Sequence, residues 1–303
     1  MDKLKALENV SWDDSLALAE ACKSVNWDDP KERRAVALTV LRHVKIDIEK
    51  EDLLPLIADV ENVPLGQTIQ WAVRKGMKAY VHEPGTAAPR SHITQKTLSI
   101  QSEMVSVHPE IELGQLKSGR YGSLAEMKTM AKDELLGQRY TVIWNTLRGS
   151  IAAGSANYWQ MNTTDSLQAR KDVLVSGINY CEDQQGGPIK AIIGRRSILG
   201  FVTELPGYAE TTLSKIDNDG FLGSFRGIPL IAMKQYTDLY GINQIQADTI
   251  YIVKSGTIKY AKTQDVEVEE GINVDTLMWS AHYHMRHGTA VFYPEWNARI
   301  NYS

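Results

Sequence analysis

The fold is indicated first by the stretch Ile69-Gln-Trp-Ala-Val-Arg-Lys-Gly-Met-Lys-Ala-Tyr-Val81, whose apolar residues fall mainly at odd positions. Such alternation is typical of a strand with one buried face. A return segment places Leu98 and Ile100 at even positions, and the Gly- and Pro-containing residues 82–90 between the two segments favour a turn. The sequence therefore predicts a β-hairpin within residues 68–108, with strands of about ten residues or more.

The return strand of this hairpin changes its alternation. Met104 lies at an even position, whereas Val105 and Val107 lie at odd positions, so we predict a β-bulge near Ser102–Val105. An isolated two-stranded ribbon is only marginally stable in water. The ribbon must therefore pack either on its own chain or on another chain.

A long helix follows the hairpin. Ser123-Leu-Ala-Glu126 has the pattern of a capping box. The helical pattern reaches Arg148, and Gly149 is the expected stop. At this length the helix would extend about 35–40 Å. One apolar stripe runs along it, formed by Leu136, Tyr140, Ile143, Trp144 and Leu147. We expect this helix to act as the spine of the fold.

Beyond residue 150 the pattern is that of α/β structure. A helix is predicted from its cap Asp165 to about Gln184, with Leu167, Leu174, Ile178 and Cys181 on its buried face. Further predicted elements are a strand at Ile189–Ile193, a short helix at Ser197–Thr203, a turn and strand at Gly227–Met233, and a hairpin of residues 248–253 and 257–261 around Ser255-Gly256.

The last predicted strand alternates clearly between two faces. One face carries Leu277, Trp279, Ala281, Tyr283 and Met285. The other face carries His282, His284 and Arg286. The sequence therefore predicts one buried and one polar side for this strand.

The first sixty residues indicate short helices. Val10-Ser-Trp-Asp-Asp14 and Val25-Asn-Trp-Asp-Asp29 repeat one pattern, in which Ser11 and Asn26 are the expected N-caps. The aspartates that follow suit the positive end of a helix dipole. The predicted helices are Ser15–Lys23, Pro30–His43 and Lys50–Ala58.

Charge limits the possible functions. The 303 residues carry a formal net charge of -4, whereas proteins that grip phosphate backbones are usually clearly basic. Residues 1–60 carry a net charge of -4, residues 61–150 of +3 and residues 151–303 of -3. No apolar run approaches the roughly 20 residues that span a bilayer. Two widely separated cysteines make no disulfide framework.

Catalytic motifs are weak. His282-x-His284 is the best metal candidate because both side chains share a strand face, but His287 has the opposite parity and no carboxylate cluster completes a site. Gly149–Ser155 lacks the lysine of a phosphate-binding loop. Cys181 on an apolar helix face suits a core position better than a nucleophile. We therefore expect no catalytic residue, no cofactor and no metal.

The order of elements resembles that of the major capsid proteins of tailed bacteriophages, which have the Hong Kong 97-type fold. Residues 68–108 are similar to that family's E-loop, and residues 123–148 to the spine helix of its peripheral (P) domain. Residues 155–272 are similar to its axial (A) domain. The most typical local signature is Phe221–Met233, in which Gly-Ile-Pro precedes an apolar strand.

This resemblance implies an α+β architecture with five parts. They are an N-terminal helical arm (1–64), an extended β-hairpin or E-loop with its connecting strand (65–108), a P-domain with the spine helix (109–154), an α/β A-domain (155–272) and a return strand of the P-domain (273–303). The helical character of the first sixty residues departs from the simple extended arm of the family.

The resemblance also implies a structural protein rather than an enzyme. It would assemble with itself into hexamers and pentamers of an icosahedral shell that encloses the double-stranded DNA of a tailed phage. Its expected partners are a scaffolding protein, a portal and a decoration protein. The shell would contact the packaged DNA only weakly. It would act in the virion, after assembly in the host cytoplasm. Two alternatives remain: an encapsulin-type compartment shell, and a metal-dependent hydrolase using His282 and His284.

Subunit contacts are expected from two charged segments. The hairpin would contribute Trp71, Arg74, Lys75, Lys78, Glu83, Arg90 and Lys96, and the N-terminal arm would contribute Trp12, Asp13, Asp14, Trp27, Asp28 and Asp29. Because the arm is acidic and the hairpin is basic, we expect the two to pair between neighbouring copies. Charges of this kind set register and association rate more than affinity.

Overall fold

A long helix joins two β-sheets in the computed structural model of this chain, which describes residues 12, 15–75, 94–100, 102–118, 123–206, 208–209, 221–237, 242–273 and 275–303. Several predicted features lie outside the described residues. They are the cap Ser11, the contact residues Asp13, Asp14, Lys78, Glu83 and Arg90, the apolar positions Met77, Ala79 and Val81, and the turn at residues 82–90.

The helices and strands are numbered in chain order. The first half of the chain forms α1 (Ser15–Ser24), α2 (Pro30–Glu51), α3 (Leu54–Ile57), β1 (Asp59–Asn62), β2 (Ile69–Lys75), β3 (Thr94–Ile100), β4 (Glu103–Val107), β5 (Glu110–Glu112), α4 (Leu113–Ser118) and α5 (Ser123–Ser150). The second half forms β6 (Tyr158–Met161), α6 (Leu167–Asp183), β7 (Ile189–Arg195), α7 (Arg196–Leu199), a 3₁₀ turn (Gly200–Glu204), β8 (Tyr208–Ala209), β9 (Phe221–Phe225), β10 (Ile228–Met233), β11 (Thr249–Lys254), β12 (Ile258–Asn273), β13 (Met278–Val291), a second 3₁₀ turn (Pro294–Trp296) and β14 (Ala298–Tyr302).

The spine helix α5 has the predicted start and the predicted buried stripe, but it does not stop at Gly149. All five stripe residues are buried, and the helix continues to Ser150. The C-terminal end of the helix is capped by a residue that is distant in the sequence. Arg299 Nη1 donates to the carbonyl oxygens of Ile151 at 3.0 Å and Arg148 at 3.4 Å. A cation at a helix C-terminus satisfies carbonyls that a glycine turn would otherwise serve.

The first sheet packs against α5 and has the order β1-β12-β13-β4, with β5 also paired to β13. Trp279, Ala281, Tyr283 and Met285 of β13 are buried as predicted. Leu277 is the exception. It is 60% exposed, because it precedes the strand in a left-handed turn at φ 53° rather than continuing the alternation.

The second sheet has seven strands in the order β6-β14-β11-β7-β10-β9-β8. The predicted hairpin around Ser255-Gly256 is wrong, because β11 belongs to this sheet and β12 belongs to the first. Gly256 makes the turn at φ 79°, but the chain crosses between sheets there. Consequently residues 258–272, predicted in the A-domain, belong to the strand that pairs with β13, whereas residues 298–301, predicted with the P-domain strand, pair with β11.

Helix α6 covers the seven-stranded sheet. Leu174, Ile178 and Cys181 are buried as predicted. The N-cap is Ser166, whose hydroxyl accepts from the Ala169 N–H, whereas Asp165 accepts from the backbone of Asn162. Leu167 is therefore the first helical residue and is exposed. The predicted cap was one residue too early.

The buried Lys254 holds the other end of α6. Its ammonium donates to the carbonyl oxygens of Cys181 and Gln184, both at 2.7 Å, although only 2% of the residue is exposed. We expect Lys254→Met to lower the free energy of unfolding by about 2–3 kcal/mol, because it leaves two buried carbonyls unpaired. Urea denaturation measures the effect. The exposed Lys31→Met is the control, and equal stability of the two variants would contradict this role.

The N-terminal helices are part of the body of the molecule. Helix α2 runs eight residues beyond the predicted His43 and packs on α5 and β12. Its N-cap is Asp29, which accepts from the Lys31 N–H, rather than Asn26. The third predicted helix is reduced to α3. Among the described residues, no helix is both long enough and apolar enough to cross a membrane.

Candidate subunit-contact surfaces

Strands β2 and β3 form an antiparallel ribbon within the predicted hairpin. Ile69 lies opposite Ile100 and Trp71 opposite Leu98. Seven residues of each strand are described. After Ile100 the chain leaves the ribbon, and β4 pairs with β13 in the first sheet. The change of alternation near Ser102–Val105 therefore marks a change of sheet, and the predicted bulge is wrong.

The base of the ribbon packs on its own chain. Ile69 and Trp71 form a small apolar cluster with Ala261, Ala290 and Phe292. The Trp71 ring meets Phe292 edge-on at 5.6 Å, and its Nε1 donates to Glu61 Oε2 at 2.7 Å. These contacts bury Trp71 inside its own subunit, and its expected contact with a neighbouring copy stays a prediction.

The outer part of the ribbon offers charge and polar groups to solvent. Lys96 is exposed, together with Gln95, Thr97 and Ser99 of the same strand. Arg74 and Lys75 end β2 opposite Gln95 and Thr94. Basic residues thus accumulate toward the part of the hairpin that lies beyond these strands.

The two tryptophans of the predicted arm are also internal. Trp12 packs on the His43 ring at 4.6 Å between ring centres. Trp27 meets Trp279 at 5.6 Å and donates through Nε1 to the Cys22 carbonyl oxygen at 3.0 Å. Both are buried. Trp27 thus packs the N-terminal segment against the first sheet, whereas Trp12 packs on α2. The expected contact of both tryptophans with a neighbouring copy stays a prediction.

The acidic side chains near the N-terminus are largely engaged within the chain. Asp28 pairs with Lys117 at 2.9 Å, and Asp29 caps α2. Along α2 and just after it, Asp47, Glu51 and Asp52 pair with Lys128, Lys132 and Arg139 of α5 at 2.7–2.9 Å. Among the described residues, the acidic groups of and just after α2 therefore bind the spine helix of their own subunit.

Sequence reasoning missed the outer face of the first sheet, which points away from α5. His108, His282 and His284 form a row there, with 5.1 Å and 5.3 Å between successive ring centres. Glu267 and Glu269 of β12 lie opposite His284 and His282 in the register. Burial and the two neighbouring imidazoles lower the pKa of His282, although Glu269 opposes them. The alternating acidic residues of 267–270 were the available signal.

The histidines do not form the suspected metal centre. His287 lies on the opposite face of β13 and stacks on Tyr260 at 5.2 Å, because strand parity separates it from His282 and His284. Within the described parts of the chain, no three His, Cys, Asp or Glu side chains are placed to hold a metal ion. Burial raises the pKa of Cys181 to about 12, which matches the predicted core role.

The buried His287 makes stability depend on pH. Burial, with a smaller contribution from the Arg139 guanidinium, lowers the pKa of His287 to about 4. Between its ordinary value of about 6.5 and this value, the unfolded chain binds a proton that the folded chain does not. The free energy of unfolding should therefore fall as the pH decreases through this window, by on the order of 3 kcal/mol.

The test compares wild type with His287→Phe, which keeps an aromatic ring against Tyr260 but cannot titrate. Urea unfolding is measured between pH 7 and pH 4. The variant should lose less stability over this range than wild type does. Parallel curves for the two proteins would show that His287 does not account for the dependence.

Comparison with known proteins gives the fold an independent check. No family model and no curated protein matches this chain. Solved structures do match. The capsid of an empty GTA (gene transfer agent) particle is similar with a TM-score of 0.59 and 13% identity, over 84% of this chain and 90% of that chain.

Two further matches come from different sources. The capsid of cyanophage P-SCSP1u gives a TM-score of 0.57 and 12% identity, over 82% of this chain and 86% of its own. The virus-like particle from Pyrococcus furiosus gives 0.55 and 14%, over 86% and 96%. These similarities show that the chain has the Hong Kong 97-type fold of tailed-phage major capsid proteins.

Proposed function

We propose that this chain is a major capsid protein, which assembles with itself into hexamers and pentamers of an icosahedral shell around the double-stranded DNA of a tailed phage. The observation that carries the proposal is the similarity of more than four fifths of the chain to phage and GTA capsid structures. A structural role follows from it. The virion is then the place of action, after assembly in the host cytoplasm.

The ribbon supports this proposal physically. Among the described residues of the ribbon, Ile69 and Trp71 pack in an apolar cluster of their own subunit, and a two-stranded ribbon needs further packing for stability. A neighbouring copy would supply that packing. In a closed symmetric assembly each interface is repeated many times, so individual contacts of modest strength are sufficient for a stable shell.

The net charge of -4 is compatible with weak contact between the shell and the packaged DNA. A strongly basic wall would bind phosphates through many ion pairs and would oppose packing and release of the genome. We propose a scaffolding protein, a portal and a decoration protein as further partners, because a shell of hexamers and pentamers needs control of its size and one vertex for DNA entry.

The rival classes are less well supported. The matched structures favour a phage shell over an encapsulin-type compartment. A hydrolase would require a metal centre at His282 and His284, and the described residues contain no group of three His, Cys, Asp or Glu side chains arranged to hold a metal ion. The fold likeness therefore favours shell assembly over catalysis.

Expression of the chain alone tests the proposal. Sedimentation velocity and negative-stain electron microscopy should reveal large, closed particles of uniform size. Adding the flanking scaffolding gene is the second arm if assembly needs it. A chain that remains monomeric or forms only small oligomers in both arms would refute the capsid function.

A further inference from the structure

Helix α2 carries different charges on its two sides. Its acidic residues Asp47 and Glu51 pair with Lys128 and Lys132 of α5 at 2.9 Å and 2.7 Å. The buried residues of its apolar side include Val36, Val40, Val44 and Ile48. The charged residues of α2 that remain exposed carry a net charge of +3, and they are Lys31, Arg34, Arg42, Glu49 and Lys50.

The exposed cations lie along one side of the helix. Arg34 follows Lys31 by three residues, and Arg42 follows Arg34 by eight, so a helix with 3.6 residues per turn presents all three to the same side. We define the basic stripe by these three residues, the exposed Leu38 between them, and Lys50 in the last turn. From Lys31 to Arg42 the stripe is about 16 Å long at the rise of an α-helix.

The cations of the basic stripe are not neutralised within the subunit. Neighbouring basic residues of α2 do have partners, since Arg33 pairs with Glu270 at 3.4 Å and Lys45 with Asp265 at 3.0 Å. Arg34 lines a small cavity together with Glu270, but that carboxylate is paired with Arg33. Among the described residues, no carboxylate forms an ion pair with any of the four cations of the stripe. Their charge is therefore available to a partner.

The basic stripe suits a phosphate backbone better than a lipid surface or a partner helix. A helix that lies in a membrane surface needs a free apolar face, whereas the apolar face of α2 is already buried. A docked helix needs a row of apolar anchors, but the large apolar side chains exposed on α2 are two separate ones, Leu38 and Ile46. The stripe also contains no aromatic ring on which unpaired bases could stack. A stiff duplex, with phosphates at regular intervals, fits it best.

We propose that the basic stripe of α2 is the surface through which this chain contacts double-stranded DNA. This rests on the proposed function, since it places the exposed side of α2 on the inside of the shell. The cations contact phosphates and do not read the base sequence. Because the whole chain has a net charge of -4, each subunit makes only a few such contacts, which position the duplex without holding it tightly.

Binding of a short labelled duplex of mixed sequence to the unassembled full-length chain, followed by fluorescence anisotropy, tests the proposal. Between about 50 and 200 mM salt, the logarithm of the association constant should fall with a slope of about -3 to -4 against the logarithm of the salt concentration, as expected for three or four neutralised phosphates. The variant with Arg34→Gln and Arg42→Gln should bind about tenfold more weakly at about 50 mM salt, and its slope should be less steep by about 2. The variant with Arg34→Lys and Arg42→Lys keeps the charge and should bind like wild type.

The control removes two exposed positive charges outside α2, through Arg226→Gln and Lys234→Gln. It makes the same change in net charge as the glutamine variant of the stripe and should bind the duplex like wild type. Circular dichroism confirms that each variant is folded. Electron microscopy of shells from the same proteins scores the capsid function separately. Absence of duplex binding by wild type, equal losses in the stripe and control variants, or binding of poly-glutamate in place of the duplex would overturn the assignment of the stripe, whether or not shells form.

Discussion

Trp144→Ala is expected to lower the free energy of unfolding by about 3–5 kcal/mol, the range for removing a fully buried aromatic side chain. Trp144 is completely buried in α5 and meets the Tyr251 ring edge-on at 4.9 Å. Tyr251 belongs to β11 of the seven-stranded sheet. The substitution would therefore leave a cavity where the spine helix joins that sheet.

The effect is measured by urea unfolding of the unassembled subunit. Met130→Ala is the control, because Met130 lies on the same helix but is 61% exposed, and exposed substitutions usually change stability by less than about 0.5 kcal/mol. A loss of under 1 kcal/mol for Trp144→Ala would show that α5 does not pack on the sheet in this way.

Gly137→Ala is expected to destabilise the protein by about 1–3 kcal/mol, although alanine is the better helix former. A Cβ at position 137 would lie 2.1 Å from Cδ2 of Tyr236. The Tyr236 ring cannot move away without breaking hydrogen bonds, since its hydroxyl donates to the Glu134 carboxylate and accepts from Gln138 Nε2 at 2.7 Å. Gly137 thus forms a notch that receives a side chain from the segment after β10.

Gly149→Ala is the matched control on the same helix. Nothing lies within 4 Å of the Cβ that it would add, so it should leave stability unchanged or raise it by up to about 1 kcal/mol. Introducing Gly137→Ala into a Tyr236→Ala background should remove the penalty. If the penalty persists there, or if both glycine substitutions behave alike, the notch is not the cause.

The spacing of apolar residues in the sequence correctly predicted which faces of the long helix and of the last long strand are buried. The stripe of α5 from Leu136 to Leu147 and the alternation from Trp279 to Met285 both became buried faces. In each case the spacing of the apolar residues indicates which face of the element is buried. The alternation of the ribbon likewise indicated its apolar face, where Ile69 lies opposite Ile100.

Long-range contacts account for most of the errors. Ser255-Gly256 forms the turn that the local sequence predicts. Nothing in the local sequence indicates that the strands before and after this turn belong to different sheets. The caps that Lys254 and Arg299 supply to α6 and α5 come from strands far along the chain. Such partners depend on tertiary packing, which overrides local propensity.

The candidate contact surface was the least predictable part. Burial of Trp12, Trp27 and Trp71 depends on rings distant in sequence, such as Trp279 and Phe292. The charge of the arm was counted correctly, but its pairing with α5 could not be read from composition. Glu110, Glu112, Glu267 and Glu269 share one side of the first sheet only because β5 and β12 both pair with β13.

The most direct test of shell assembly is a cryo-electron microscopy reconstruction of particles formed by the purified chain. The account predicts closed shells with icosahedral symmetry, in which each subunit shows α5 between the two sheets and extends its ribbon over a neighbour. Particles without closed symmetry, or shells in which every ribbon folds back on its own subunit, would contradict it.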